Sequence, residues 1–197
     1  MNAVSFWMLS PALLLWPLLG AAVWHDVRSR RIPNRLVVCG MVFGVFLNVV
    51  PFQVAGVVTP VVEPAGFLMA LSGLALGLAC LMPMYMMKAM GAGDVKMMAM
   101  VGAFLGPRPV FIAVVFTFLA GGVMALVVAA WNGSLRRVCS NTYHLALQSL
   151  MRGVAGEMPQ IDAPAVPTGK LPYAIAIAAG TILYLALAAS GLLGAYA

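Results

Sequence analysis

"GAGDVKMMAMVGAFLGPR", residues 91–108, holds one short apolar run, 97–106, with Asp94 and Lys96 at its head and Arg108 just past its end. Whether this run crosses a bilayer decides the fold, because it sets the number of spans and the side of the membrane on which every later loop lies. The bilayer itself follows from composition. Of 197 residues, 63% are hydrophobic and 8% charged, and the mean hydropathy is +1.03, values of an integral membrane protein. A span needs about 20 apolar residues to cross about 30 Å of hydrocarbon. Stretches of that order occupy residues 1–24, 36–62, 64–87, 109–135 and 171–197. The run inside the opening quotation would be a sixth span.

Charge settles the sixth. If 95–105 crosses, Arg28, Arg30, Arg31, Arg35, Lys88, Lys96, Arg136, Arg137, Arg152 and Lys170 all share one face, and only Arg108 lies on the other. A re-entrant turn would split the basic residues between the faces. The tendency of Lys and Arg to stay on the cytoplasmic side favours the crossing. The reading is an all-α, polytopic membrane protein with about six transmembrane helices, its basic face cytoplasmic and its amino terminus outside. The first stretch lacks the basic flank of a secretory signal and is followed by further spans, so it reads as retained; Pro11 and Pro17 would kink it. Residues 132–170 read as the longest cytoplasmic loop, with a small amphipathic piece at 143–151. There is no internal repeat and no soluble domain, so residues 1–197 form a single membrane domain.

The net charge of +6 and pI near 9.7 are then accounted for by topology and by anionic lipid headgroups, and call for no nucleic acid. Cys39, Cys80 and Cys139 are too scattered to pair as C-x-x-C, and the two histidines complete no metal site with them. No cofactor or metal is called for.

Only five acids are present. Glu63 falls in an outer loop, and Glu157 and Asp162 in the long cytoplasmic loop, all three solvated. Asp26 closes the first span and Asp94 opens the fourth, on one face and at similar depth. Either can be read blandly: Asp94 as a helix cap, Asp26 as a partner of Arg28 or Arg30. A carboxylate at a helix C-terminus is, however, disfavoured by the dipole. Ionisable groups at a membrane boundary are functional candidates, and here two converge. Two carboxylates within a few ångströms cannot both ionise easily and share a proton, so one can take a proton from water while the other gives one to a carbonyl. The helix ends favour Asp94 as the anion and Asp26 as the acid, with Arg28 opposing that split. Gly91 and Gly93 would let a substrate backbone approach closely and adopt conformations closed to other residues. Lys96 and the basic residues of 28–35 orient substrate or lipid, or simply anchor the inner face. The methionines around Asp94 line an adaptable groove or pack the core.

"DVRSRRIPNRL", residues 26–36, and "GAGDVKMMAMVGAFLG", residues 91–106, resemble the two signature segments of the type IV prepilin peptidases, GxGD-type intramembrane aspartic proteases, and "KLPYAIAIAAG", residues 170–180, is similar to the last-helix segment of that family. The resemblance implies that Asp26 and Asp94 are the catalytic pair. It also implies that the substrate is a prepilin or pseudopilin precursor, cut on the cytoplasmic side of the inner membrane after a glycine that precedes the apolar segment. Larger members carry a cytoplasmic insertion with paired C-x-x-C motifs and N-methylate the new terminus. This chain has neither, and so resembles the short form that accompanies tight-adherence (Flp) pili, without methyltransferase activity. Presenilin-type GxGD proteases fit less well, since here the first aspartate follows His25 at a span's end and the late motif reads Leu-Pro-Tyr. The rivals are a proton-coupled transporter using both acids as a relay, which would need polar groups continuing beyond Asn48, Ser72 and Thr117, and a structural subunit without chemistry.

Overall fold

The structure, a computed structural model, describes residues 3–49, 65–87, 90–131, 133, 140 and 173–192. Among them are six helices and no strand: α1 Ala3–Ser29, α2 Asn34–Val49, α3 Ala65–Met86, α4 Ala92–Leu105, α5 Pro107–Trp131 and α6 Tyr173–Ala189. The expected piece at 143–151, Cys139 and the acids Glu63, Glu157 and Asp162 lie outside the described residues. Two compact units are distinguished. One comprises Met1–Ala120 with Pro172–Ala197, and the other Gly121–Leu171. In the second, the described residues from Gly121 to Trp131 form the later part of α5, which leaves Val123, Leu126, Val127 and Trp131 exposed.

Two helices have the length and apolarity to cross a membrane, Gly66–Met86 with 21 residues and Pro107–Trp131 with 25. At 1.5 Å per residue they extend roughly 32 and 38 Å against a hydrocarbon layer of about 30 Å. Outward-facing residues agree with that setting: Phe43 and Phe46 on α2, Phe67, Leu68 and Leu71 on α3, and Phe111, Val115 and Leu119 on α5 are all exposed, in positions a soluble surface would make polar. Helix α1 continues through Pro11 and Pro17.

In the first unit α4 is the element around which the rest is packed. It touches α1, α2, α3 and α6, and every residue from Val95 to Phe104 except Lys96 is buried. With 14 residues it measures roughly 21 Å, and it is enclosed by protein rather than lipid. Small residues permit the enclosure. On α2, a Cβ at Gly44 would lie 2.8 Å from Phe104, and one at Gly40 would collide with the Met100 sulfur. On α3, a Cβ at Gly77 would lie 2.6 Å from the Met98 carbonyl oxygen, and Gly73 and Gly102 each stand against the other's carbonyl oxygen. Pairs of glycines four apart on both neighbours thus let three backbones close up, the usual means of helix association where lipid offers no hydrophobic drive.

Both ends of α4 are held. Gly106 alone links it to α5, with φ 82 and ψ 178, a conformation open in practice to glycine, and Pro107 then starts the next helix where a missing N–H costs nothing. Asn48 of α2 reaches the last turn of α4, its Nδ2 within 3.0 Å of the Ala103 carbonyl and 3.4 Å of that of Phe104, as well as 2.9 Å from Gly44 O on its own helix. Replacing Asn48 by Leu leaves those carbonyls without this donor, and is expected to lower stability by about 1–3 kcal/mol, read as a reduced thermal midpoint in detergent.

Candidate active site

Helix α1 packs against both α4 and α6, and α4 against α6. Asp26 near the C-terminal end of α1 and Tyr173 at the N-terminal end of α6 both lie within electrostatic range of Asp94 at the N-terminal end of α4. Asp26 is the last core-facing position of α1, four residues past Ala22, and is buried where Trp24, His25, Val27 and Arg28 around it are exposed. Its Oδ2 is buried without a hydrogen-bond partner. Such an atom is uncommon in a folded protein and marks a group kept for something other than structure. The backbone carbonyl of Asp26 accepts the Arg30 N–H at 2.8 Å, closing α1 with Arg30 in the left-handed region at φ 52.

Asp94 occupies the third position of α4, ahead of the apolar run that begins at Met97. One of its oxygens accepts the Gly91 N–H at 3.2 Å, so the capping role anticipated for it exists, directed back at the residue before the helix. That role does not exhaust it. Its carboxyl is pushed up to about 6, first by burial and then by the charge on Asp26, with the Gly91 N–H opposing both. Asp26 is thus near enough to act electrostatically on Asp94, and burial outweighs the positive helix end that would favour an anion there. Tyr173, at the start of α6, lies within electrostatic range of Asp94. Tyr173 belonged to a quoted motif but carried no role in the sequence. Its place beside Asp94 depends on how α6 docks.

The glycines differ from expectation. Gly91, at φ −81 and ψ 152, has extended backbone that any residue adopts. Gly93 is not left open to a partner: the Ile32 side chain lies against it, with three of its carbons 3.3–3.4 Å from where a Cβ would be. Lys96 donates to Asn34 Oδ1 at 2.9 Å, across from α4 to the start of α2. Of the methionines, Met97, Met98 and Met100 are fully buried core, while Met82, Met86 and Met87 are exposed. Among the described residues, Ser72, Thr117 and Thr181 do not form a chain of polar groups. Ser72 and Thr117 donate to carbonyls of their own helices, Met69 O at 3.0 Å and Ala113 O at 2.7 Å, and buried Thr181 does the same with Ile177 O at 2.8 Å. Among the described residues no three His, Cys, Asp or Glu side chains gather as metal ligands, and Cys39 and Cys80 are free thiols.

Chemically, the corner offers a protonatable carboxyl and a second, buried carboxyl with an unengaged oxygen. The family described as the type IV leader peptidase family matches residues 13–126, more than half of the 197-residue chain, a stretch that includes Asp26, Gly91, Gly93 and Asp94. No curated protein and no solved structure matches the chain.

Proposed function

The chain belongs to the type IV leader peptidase family, and from that premise we propose that it is an aspartic endopeptidase in which Asp26 and Asp94 share one proton and activate water against a peptide bond. The observation that carries this reading is the electrostatic contact between the two carboxyls at one helix corner, with Oδ2 of Asp26 buried and unpartnered. The ionised carboxylate removes a proton from water as its oxygen attacks the scissile carbonyl. The protonated carboxyl gives its proton to the carbonyl oxygen. The tetrahedral species collapses as the leaving amine takes up a proton, and the dyad returns to one proton. Burial raises the Asp94 carboxyl and so favours Asp94 as holder of the shared proton, against the anionic role the helix dipole alone would give it, although the proton belongs to the pair.

The substrate we propose is a prepilin or pseudopilin precursor of Flp type, cut at the cytoplasmic face of the bacterial inner membrane, without methyl transfer. With the six crossings proposed from the sequence, Asp26 and Asp94 would lie on that face and the amino terminus outside, with the short α4 shielded by its neighbours. Incubating the purified chain with a precursor and weighing the product tests the activity directly: two fragments separated after the leader glycine support it, and an intact precursor under all conditions removes it.

The raised carboxyl also sets an expected pH dependence. If Asp94 must be protonated, kcat/KM declines as pH rises through about 6, by roughly tenfold per unit beyond it. The apparent value belongs to the pair. A rate that climbs through this range would assign the proton elsewhere.

A further inference from the structure

The connection between α1 and α2 is short, residues 30–33, and lies over the start of α4. It is pinned at one end by the Arg30 N–H on the Asp26 carbonyl and at the other by Lys96 on Asn34. Between these points Ile32 precedes Pro33, which disfavours helical backbone at Ile32 and keeps the segment extended. Its branched side chain, packed against the apolar core, covers Gly93, the residue before Asp94. The connection therefore already lays an apolar side chain on side-chain-free backbone beside the candidate catalytic carboxyl. The Lys96–Asn34 tie is a single exposed hydrogen bond, a fastening that water can replace at little cost.

We infer that the 30–33 connection is a gate: Ile32 occupies the seat on Gly93 that an extended apolar segment of the substrate takes, and substrate enters by displacing it. This rests on the peptidase reading above and adds where substrate lies and what must move. The closed state lowers apparent affinity by the fraction of molecules that are open. Two consequences follow. Substrate binding exposes Ile32, and a smaller side chain there makes binding easier.

The probe is a synthetic peptide with a leader ending in glycine ahead of an apolar helix, in detergent micelles. For the first consequence, Ile32→Cys is placed in a chain whose own cysteines are replaced and which carries Asp94→Asn, so that bound peptide stays intact, and thiol labelling is timed with and without peptide. Labelling is expected to accelerate with peptide. Unchanged or slower labelling, at peptide concentrations that saturate cleavage by the unaltered chain, overturns the gate. For the second, Ile32→Ala is expected to lower KM roughly threefold to tenfold and to raise kcat/KM; a KM that is unchanged or raised assigns Ile32 to structure alone. If the unaltered chain leaves the peptide uncut while labelling of the Ile32→Cys chain accelerates, the gate stands and the peptidase reading is lost. If the unaltered chain cuts it and labelling does not accelerate, the reading stands and the gate is lost.

Discussion

Asp26→Asn and Asp94→Asn are each expected to reduce precursor cleavage by roughly 10³-fold or more, with the double variant scarcely slower than either, because groups acting as a unit are non-additive. Asn keeps the size and a hydrogen-bond acceptor, so the loss isolates the titratable proton. If Asp94 served only to hold the Gly91 N–H, Asn would replace it and cleavage would survive. Stability supplies a second readout of opposite sign. The Asp94 carboxyl rises from 3.8 to about 6 on folding, so the native state binds more protons than the unfolded chain between those values. Its contribution is fully present below 3.8 and is lost as pH rises through about 6. At pH 8 the buried charge is a liability that Asn removes. Asp94→Asn should therefore be inactive yet melt at or above the unaltered chain at pH 8, with less advantage at pH 5. An inactive variant that melts lower at both would indicate misfolding, and full processing by either single variant would end the dyad. Neutralising Glu63, Glu157 or Asp162 should leave cleavage near its starting rate.

Gly102→Val and Gly73→Val are expected to abolish accumulation of folded protein. A Cβ on either residue runs into the other's backbone, and Gly73 also faces the Gly106 backbone at 2.7 Å, so no flexible side chain can move aside. Ordinary overpacking costs about 1–3 kcal/mol, and here α3 and α4 must separate instead. Gly20→Ala, with nothing within 4 Å of its Cβ, is the control and should be neutral or more stable by about 0.5–1 kcal/mol. Size-exclusion profiles and thermal midpoints in detergent distinguish these outcomes. A normal profile for Gly102→Val would mean that α4 is not enclosed as closely as its glycines imply.

Much of this could be read locally. Apolar run lengths define α3 and α5, and the scarcity of acids singles out Asp26 and Asp94 without any coordinates. Gly-Pro at 106–107 announces the break between α4 and α5, although the linker is a single residue and α5 starts ahead of the expected 109. The glycines of α2 and α3 were legible only as apolar filler, since their spacing of four acquires meaning from the carbonyls of α4 opposite them.

Sequence alone determined the helical class and singled out the two carboxyls, because hydrophobic run length and the scarcity of acids act on each segment separately. The tertiary structure decided that the Asp94 carboxyl is raised, that Ile32 lies on Gly93, and that Tyr173 comes within electrostatic range of Asp94. The physical reason is that desolvation and close contact depend on what the neighbouring helices place around a group. From sequence, the dipole of α4 made Asp94 the natural anion. Burial among α1, α4 and α6 raises its carboxyl instead.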